Sequence, residues 1–355
     1  MIARLSTILD TFYMKMMRLL SILILVSCLA LVLALALSQQ MAVAPPATAV
    51  PPTPTEIPPK GPVDYYGELI VDGNRIHGDH TNEPAQVRGM SFFWSNTGWG
   101  QEQWYTAETV DQMVDEFNVE LVRAAMGVEE HGGYLYDSKN KERLETVVEA
   151  AIDRNIYVII DWHTHHAEDN PDEAVAFFSE MAQKYGEYDN VIFEIYNEPL
   201  DTASWATIKT YAQLVIPAIR EHSDNLIVVG TRTWSQNVDE ASLDPIDDPN
   251  LAYGFHFYVG SHGNYVRSLA ETALENGVAL FVTEWGIWPE EWGPDGMDEE
   301  DWMAFVDEHQ LSWANWAISN KYEPPSLFKL GGGLTENGQF VKDQLDSAAE
   351  DVPWR

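Results

Sequence analysis

Residues 156–166 read IYVIIDWHTHH, residues 170–186 read NPDEAVAFFSEMAQKYG, and residues 191–199 read VIFEIYNEP. The first and last segments begin with short apolar runs rich in Val, Ile and Phe, the composition of strands that are buried on both faces. The middle segment is amphipathic and begins with Asn170 and Pro171, a capping residue followed by proline at the first helical position. Together the three segments predict a strand–helix–strand unit with two parallel strands.

The same alternation continues along the chain. The predicted strands are residues 86–91, 119–126, 156–162, 191–196, 226–230, 252–258, 279–283 and 311–318. Predicted helices include residues 139–155, 204–222, 266–276 and 298–309, and residues 68–71 and 75–77 predict a β-hairpin before the first of these strands. Eight strands alternating with helices over about 290 residues predict an α/β fold, a single (β/α)8 TIM barrel. The main alternative, a doubly wound open sheet, is disfavoured because no Gly-rich phosphate-binding loop follows any predicted strand.

The N-terminal segment has a different composition. Residues 19–37 are uncharged and almost wholly apolar, and the basic residues Lys15 and Arg18 precede them. This pattern predicts that residues 1–41 are an export signal or an N-terminal membrane anchor, with a lipoprotein cysteine at Cys28 as a further alternative. Residues 42–62 carry eight prolines among Ala and Thr and predict an extended linker. The folded domain is expected over residues 63–355, and secretion, with or without tethering to the cell surface, is the expected localisation.

Composition excludes several functions. The 355-residue chain contains 20 Lys and Arg against 56 Asp and Glu, a formal net charge of −36, so binding to nucleic acid is not expected. Cys28 is the single cysteine, and the predicted domain therefore has no thiol nucleophile, disulfide or Cys-ligated zinc site. No Gly-x-Ser-x-Gly elbow is present, which disfavours a serine hydrolase. A neutral or cationic substrate is compatible with the charge.

Polar and aromatic residues follow six of the predicted strands at their carboxyl ends. The positions are Arg123, residues 161–163, residues 194–198, residues 256–258, residues 283–285 and residues 313–316. Any one of them alone is more often an ordinary loop or core residue than a functional one. All six, however, lie at the end of the barrel where the active sites of this fold form. Their convergence therefore predicts a catalytic site at that end.

Two of these residues, Glu198 and Glu284, end strands on roughly opposite sides of the predicted barrel. Two carboxyl groups that flank a glycosidic bond are what glycoside hydrolysis requires, one protonated to assist the leaving oxygen and one ionised. Asn197 could bind a sugar 2-hydroxyl, and Arg123 and Tyr258 could keep a carboxylate ionised. The thirteen Trp residues suit a neutral polysaccharide, since indole packs on the C–H faces of sugars.

These residues carry a resemblance to a known family. The segments 197–199 (NEP) and 283–286 (TEWG), with 122–124, 161–163, 256–258 and 313–316, resemble glycoside hydrolase family 5 from about residue 68 to 348. That family belongs to the retaining clan of (β/α)8 barrels, and within the family the segments resemble the bacterial endoglucanase branch. The resemblance implies Glu198 as acid/base and Glu284 as nucleophile, and so a retaining endo-β-1,4-glucanase (cellulase) that acts by double displacement.

The resemblance also implies the sugar-binding residues. Those around the scissile bond would be Arg123, His163, Asn197, His256 and Tyr258. Trp316 would stack the sugar at that point, Trp234 would stack on the leaving-group side, and Lys321 and Glu323 would bind hydroxyls on the non-reducing side. Many members of the family have a histidine soon after the first strand, whereas this chain has FFW at residues 92–94. We therefore expect Trp94 or Trp99 to supply an aromatic surface there.

Alternatives within and outside this class stay open. The carboxyl groups do not distinguish a glucanase from a β-mannanase or a mixed-linkage β-glucanase, because outer contacts select the sugar. A non-catalytic carbohydrate-binding barrel would keep the tryptophans without needing both carboxyl groups. We expect no cofactor and no metal: the histidines at 163, 165 and 166 lack the spacing of a helical zinc motif, and 165 and 166 are interpreted as loop residues. The acidic residues 295–301 are interpreted as a helix start rather than a calcium loop. A monomer that binds a β-glucan, with membrane contact only through an uncleaved N-terminal segment, is the default expectation.

Overall fold

The computed structural model describes residues 14–17, 19, 23, 27, 59–288 and 298–355. The chain divides into two compact units, residues 1–57 and residues 58–355. In the first unit the described residues are helical, while most of the predicted export segment (1–41) and linker (42–62) lies outside the described residues. Over the part of the chain that is described, no helix is both long enough and apolar enough to cross a membrane.

The second unit contains ten strands among its described residues. They are β1 Leu69–Asp72, β2 Arg75–Gly78, β3 Arg88–Phe92, β4 Leu121–Gly127, β5 Tyr157–His163, β6 Val191–Glu194, β7 Ile227–Val229, β8 Leu251–Val259, β9 Leu280–Ile287 and β10 Trp313–Ile318. Strands β3 to β10 form a closed barrel in sequence order, and β10 pairs with β3 to close it. All pairs in the barrel are parallel. The eight predicted strands and the (β/α)8 barrel are therefore confirmed.

Helices surround this barrel. They are α1 Pro62–Tyr66, α2 Ala107–Phe117, α3 Lys139–Asp153, α4 Pro171–Tyr185, α5 Trp205–Arg220, α6 Arg232–Ser235, α7 Val238–Leu243, α8 Asn264–Glu275, α9 Glu299–Glu308 and α10 Glu336–Ala349, with short 3-10 turns at Glu102–Trp104 and Ala167–Asp169. The apolar face of each long helix packs on the barrel, as Phe177 and Phe178 of α4 do against Trp162 of β5. Burying each such aromatic side chain contributes about 1.5–3 kcal/mol to the free energy of unfolding.

The predicted hairpin is present and covers one end of the barrel. Strands β1 and β2 pair antiparallel around a turn in which Gly73 has a φ of 62°, a left-handed value that glycine adopts without strain. Leu69 of the hairpin packs in one buried cluster with Leu121 and Tyr157, the first residues of β4 and β5. The Tyr157 hydroxyl also donates a 2.6 Å hydrogen bond to the carbonyl of Gly67. Because the hairpin closes the amino end of the strands, the carboxyl end is left for a site.

Helix termini differ in detail from the sequence prediction. Pro171 begins α4 as expected, but the predicted cap was wrong in one respect, since the Asn170 side chain makes no capping hydrogen bond. Side-chain caps are made instead by Thr106, Ser204, Asp298 and Thr335. Asp298 accepts from the Asp301 amide at 2.9 Å, so the described part of the predicted acidic run is a helix start. Asp295 lies outside the described residues.

We expect the domain to gain thermal stability with salt. The chain has 36 more acidic than basic residues (56 against 20), so self-repulsion opposes the folded state. Raising NaCl from 0.05 to 1 M shortens the Debye length to about 3 Å and screens that repulsion. The melting temperature, followed by tryptophan fluorescence, should rise by roughly 2 °C or more. This corresponds to a gain in the free energy of unfolding on the order of 1 kcal/mol. A melting temperature that falls as NaCl is added would contradict the expectation.

Candidate active site

A buried cluster of charge lies at the carboxyl end of the barrel strands, with Arg123 of β4 at its centre. The Arg123 guanidinium is fully buried and donates to both oxygens of Glu194, at 2.7 and 3.3 Å. It also donates to Glu284 at 3.0 Å, and a nitrogen of the same group lies 3.0 Å from Asp161. One cation thus lies beside three carboxyl groups, and Glu194 and Glu284 accept charge-assisted hydrogen bonds from it.

Glu284 of β9 has two hydrogen-bond donors. Arg123 donates to Oε2, and the Tyr258 hydroxyl donates to Oε1 at 2.6 Å. Burial raises the pKa of Glu284 and the Glu198 carboxyl adds to the rise, while His256, Arg123 and the Tyr258 hydrogen bond act to lower it. Both donors favour the ionised form, because they can bind only lone pairs of the carboxylate. The two hydrogen bonds therefore fix the orientation of the Glu284 side chain and favour its carboxylate form.

Glu198, in the segment after β6, has a different environment. Its Oε1 lies 2.9 Å from Nδ1 of His256, and its Oε2 lies 3.7 Å from Nδ1 of His165. Burial raises the pKa of Glu198, while the charges of His165 and Arg123 oppose the rise. Burial also lowers the pKa of His256 to about 4, so this imidazole is neutral at neutral pH. At Oε1, Glu198 thus faces a neutral imidazole rather than a cation.

The two carboxyl groups are close to each other. One oxygen of Glu198, one oxygen of Glu284 and one nitrogen of His256 all lie within 4.8 Å of one another. Two carboxyl groups this close resist ionising together, so the pair shares its first proton. Their hydrogen-bond partners decide which one holds it, because Glu284 is bound by two donors and Glu198 is not. The arrangement is one ionised carboxylate beside one protonated carboxyl group.

His163 closes the cluster on the β5 side. Its Nδ1 lies 2.6 Å from Oδ2 of Asp161, and both side chains are buried. Burial lowers the pKa of His163 well below its usual range, with the Arg123 charge adding to the effect. Burial raises the pKa of Asp161 well above its usual range, although Arg123 opposes it. The ring of His163 is therefore neutral and fixed in orientation by its aspartate.

Aromatic side chains extend from this cluster on one side. The Trp316 and His163 rings are parallel, with centroids 5.2 Å apart, and Phe93 lies 5.1 Å from Trp316. Trp94 meets the His163 ring edge-on at 4.2 Å and stacks on Trp99 at 5.6 Å. The expectation that Trp94 or Trp99 supplies an aromatic surface beside the first strand therefore fits the geometry.

Lys321 and Glu323 lie on the same side of the cluster. The Lys321 ammonium is 3.2 Å from a Glu323 oxygen and 4.1 Å above the centre of the Phe93 ring. Because Phe93 contacts Trp316, this ion pair lies beside the aromatic surface. Its polar atoms are therefore available next to that surface.

A cavity of about 530 Å³ opens on the other side. Its lining includes both carboxyl groups, and its outer wall is formed by Trp234, Gln236, His262 and Trp288. The Trp234 side chain lines it while remaining 42% exposed. The two carboxyl groups thus lie between an aromatic surface on one side and an open cavity on the other.

The segment that carries Trp234 is strained and tightly held. Thr233, Trp234 and Ser235 all have left-handed φ values, between 53° and 59°, each of which costs on the order of 1 kcal/mol for a residue with a side chain. The Trp234 amide donates to the carbonyl of Pro199 at 2.9 Å, and the Ser235 hydroxyl donates to the carbonyl of Asn197 at 2.7 Å. These bonds fix the Trp234 backbone against the segment that presents Glu198.

The structure brings together all twelve residues that the sequence singled out. Asn197 accepts from Arg123 at 2.6 Å, while its side-chain amide nitrogen is buried without a partner among the described residues. The sequence placed Asp161, Glu194 and Thr283 in the converging strand-end segments but gave them no role of their own, because each lies inside an apolar strand. His165 lies in the loop after β5, as interpreted from the sequence, but the sequence did not predict that its ring nitrogen lies 3.1 Å from the Glu198 carbonyl oxygen. Only its position between two strand-end motifs could have indicated this.

A metal site is a second way to interpret three of these groups. Among the described residues, Glu198, His256 and Glu284 are the set whose donor atoms converge. The same atoms are engaged by Tyr258, Arg123 and each other, in the manner of an acid–base pair. The neighbouring His163, which the sequence placed in a histidine-rich stretch, is bound to Asp161. We therefore interpret the cluster as acid–base machinery.

Comparison with known proteins gives consistent results. The family model described as cellulase (glycosyl hydrolase family 5) matches residues 78–322. The chain is 50% identical to Endoglucanase Z of Dickeya dadantii (strain 3937) over 285 residues, which is 79% of this chain and 66% of that protein. It is 41% identical to Endoglucanase A of Evansella cellulosilytica over 293 residues, 76% of this chain and 58% of the relative. The chain thus spans less than two thirds of the length of both relatives.

A solved structure matches in fold and in extent. The catalytic domain of Thermobifida fusca endoglucanase Cel5A (E5) superposes with a TM-score of 0.71 at 30% sequence identity. The match covers 81% of this chain and 99% of that domain. The similarity therefore extends over the barrel as a whole.

Proposed function

The chain belongs to glycosyl hydrolase family 5, and from this premise we propose that it is a retaining endo-β-1,4-glucanase that cleaves internal bonds of cellulose-like chains. The observation that carries the proposal is the spacing of the carboxyl groups, with oxygens of Glu198 and Glu284 within 4.8 Å. Retaining glycosidases hold their two carboxyl groups about 5–5.5 Å apart, whereas inverting enzymes need about 6.5–9.5 Å to admit water. The names of the relatives support the choice of glucan.

In the first step Glu198 is the acid and Glu284 the nucleophile. The Glu198 proton passes to the glycosidic oxygen as the bond from that oxygen to the anomeric carbon breaks. A Glu284 oxygen forms the new bond to the anomeric carbon from the opposite face, which gives a covalent glycosyl-enzyme and inverts the configuration once. Arg123 and Tyr258 orient the attacking carboxylate through their hydrogen bonds.

In the second step the roles of the two groups change. Glu198, now ionised, takes a proton from water as the water oxygen attacks the anomeric carbon. The bond to Glu284 breaks and the carboxylate leaves, which inverts the configuration a second time. The product keeps the β-configuration, and both carboxyl groups return to their starting protonation states.

The unpartnered amide of Asn197 supports a role in binding the reacting sugar. Its oxygen is fixed by Arg123, so its amide nitrogen has a defined direction and no partner among the described residues. A buried donor without a partner costs about 1–3 kcal/mol, and a sugar hydroxyl at this place would recover that energy. We assign it to the 2-hydroxyl, whose hydrogen bond strengthens in the transition state.

The aromatic surface and the cavity support internal cleavage. We assign Trp316, Lys321 and Glu323, with His163 and Trp94, to the sugars on the non-reducing side of the scissile bond. Trp234 and the cavity would receive the leaving-group side. Because binding surfaces extend in both directions from the carboxyl pair, a long chain can lie across the site. Indole and the C–H faces of neutral sugars pack well together.

We further propose that the protein acts outside the cytoplasm. The basic residues Lys15 and Arg18 before the apolar run 19–37 support export, and residues 42–62 support a linker to the catalytic domain. Whether residues 1–41 are cleaved or anchor the protein can be measured by N-terminal sequencing of the mature protein. A monomer is the proposed oligomeric state, and light scattering measures it directly.

The test is to follow cleavage of a soluble β-1,4-glucan by proton NMR with the purified protein. We expect the β-anomer of the new reducing end to appear first and the α-anomer to follow by slow mutarotation. Immediate appearance of the α-anomer would contradict the retaining mechanism. Cleavage of β-mannan or a mixed-linkage glucan in place of the β-1,4-glucan would mean that the proposed substrate is wrong and that the cleaved glycan is the substrate. Binding without cleavage of any of them would identify a carbohydrate-binding barrel.

A further inference from the structure

A chain of three hydrogen bonds leads to Glu198 from inside the barrel. The Thr283 hydroxyl donates to Oε1 of Glu194 at 2.6 Å, and Nε2 of His256 lies 2.8 Å from the same hydroxyl oxygen. On the other face of the imidazole, Nδ1 lies 2.9 Å from Oε1 of Glu198. Glu194 and Thr283 are fully buried, and neither has a place in the two catalytic steps described above.

The direction of each hydrogen bond follows from one ion pair. Arg123 donates to both oxygens of Glu194, so this carboxylate is an acceptor. The Thr283 hydroxyl has a single hydrogen, which it gives to Glu194, and its oxygen can then only accept from His256. Nε2 of His256 therefore carries the hydrogen, and Nδ1 presents a lone pair toward Glu198.

We propose that Glu194 and Thr283 are positioning residues that hold His256 in its Nε2–H tautomer, so that Nδ1 accepts a hydrogen bond from the protonated Glu198 carboxyl group. This inference rests on the proposed acid role of Glu198. When Glu198 has given its proton to the leaving oxygen, its carboxylate faces a lone pair instead of a donor. That contact favours the return of a proton from water to Glu198 in the second step, so the same tautomer serves both steps.

Other charged groups near Glu198 would stay in place if the hydrogen-bond chain were cut. His165, from the loop after β5, lies 3.7 Å from Oε2, and Glu284 of β9 lies across the site. Arg123 of β4 lowers the pKa of Glu198, and burial raises it. Since none of these groups touches the Thr283 hydroxyl, replacing that hydroxyl changes the tautomer of His256 and leaves the other charges where they are.

The charged groups around His256 also stay in place when the Thr283 hydroxyl is removed. Its Nε2 lies 4.0 Å from Oε1 of Glu194, and the charges of Glu284 and Glu194 raise its pKa while those of Arg123 and His165 lower it. Burial is the largest effect and keeps the ring neutral at neutral pH. A neutral ring has two tautomers, and the Thr283 hydroxyl selects between them.

The test compares Thr283→Val with the matched control Thr283→Ser. Valine has the shape of threonine without the hydroxyl, so His256 can adopt the Nδ1–H tautomer and donate to an ionised Glu198. That hydrogen bond stabilises the carboxylate form of Glu198. The alkaline limb of the kcat/KM profile on cello-oligosaccharides should therefore move to lower pH by about one unit, so that kcat/KM at pH values above the limb falls about tenfold. Thr283→Ser should keep the wild-type limb. Cleavage of a dinitrophenyl cellobioside, whose leaving group needs no proton, should be unchanged in its first step.

Each outcome has a defined meaning. If the wild type cleaves the glucan and Thr283→Val keeps the wild-type alkaline limb, the inference is wrong and the proposed function stands. If the wild type cleaves no glycan, the proposed function fails, and the nitrogen-15 shifts of the His256 ring test the tautomer independently. The wild type should show Nε2 protonated and Nδ1 unprotonated. A protonated Nδ1 would overturn the inference, including when Thr283→Val does not fold.

Discussion

Replacing Glu284 with alanine is expected to lower turnover of an aryl cellobioside by about four orders of magnitude, close to 5.5 kcal/mol in the activation barrier. The reason is that the variant cannot form the covalent intermediate, although the sugar-binding residues stay in place. Azide, a small anionic nucleophile, should enter the space left by the side chain and restore cleavage of the activated substrate. Its attack replaces one of the two displacements, so the product should be the α-glycosyl azide, identified by proton NMR.

Glu198→Ala is the matched control for Glu284→Ala. In this variant Glu284 still forms the covalent intermediate with a substrate whose leaving group needs no proton. Azide should then attack that intermediate from the Glu198 side and give the β-glycosyl azide. The two variants must therefore yield products of opposite configuration. Products of the same configuration, or an α-azide from Glu198→Ala, would contradict the assignment of the two roles. Glu284→Gln should also bind cello-oligosaccharides within about tenfold of the wild type, or about 1.4 kcal/mol.

The barrel was predictable because its signal is local. Strands buried on both faces give runs of Val, Ile and Phe, and each run was recognisable without knowledge of its neighbours. Strand ends were less well predicted. The seventh barrel strand was predicted to end at Thr283, yet β9 continues to Ile287, with Glu284 paired opposite His256 and Trp285 opposite Phe257. In sequence, a charged residue such as Glu284 indicates that a buried strand has ended. Here Arg123 and Tyr258 bind the Glu284 carboxylate, so that it is stable within β9.

The catalytic pair was predictable from its motifs, whereas the residues behind it were not. Glu194 and Thr283 lie within apolar strands, and their function depends on partners up to 89 positions away. Nothing local in the sequence shows that Arg123 neutralises Glu194, or that a threonine hydroxyl reaches a histidine on the next strand. Trp234 was predicted from its motif, but the left-handed backbone that positions it follows from tertiary hydrogen bonds to the segment 197–199.

Arg123→Met is expected to lower the free energy of unfolding by about 3–5 kcal/mol at pH 7.5, because it leaves buried carboxyl groups without their cation. Asp161, Glu194 and Glu284 all contact the fully buried guanidinium. Urea unfolding followed by tryptophan fluorescence measures the loss. The matched control is Arg154→Met, which removes a partly exposed arginine paired with the exposed Asp111 and Asp115 and should cost less than about 1 kcal/mol. Equal losses in the two variants would contradict the role of Arg123.

The pH dependence gives the Arg123 prediction a sign as well as a size. Arg123 lowers the pKa of both Asp161 and Glu284 in the folded protein, so removing it raises them further above their unfolded values. A carboxyl group with a raised folded-state pKa destabilises the fold above its unfolded pKa, and that cost disappears below it. The stability difference between Arg123→Met and the wild type should therefore shrink as the pH falls from 7.5 toward about 4. A difference that grows on acidification would mean that the folded variant binds protons at these carboxyl groups less readily than the wild type, which would contradict the electrostatic role of Arg123. If Arg123→Met does not fold at pH 7.5, recovery of folded protein at acidic pH, or in the double variant Arg123→Met/Glu194→Gln, tests the same electrostatic cause.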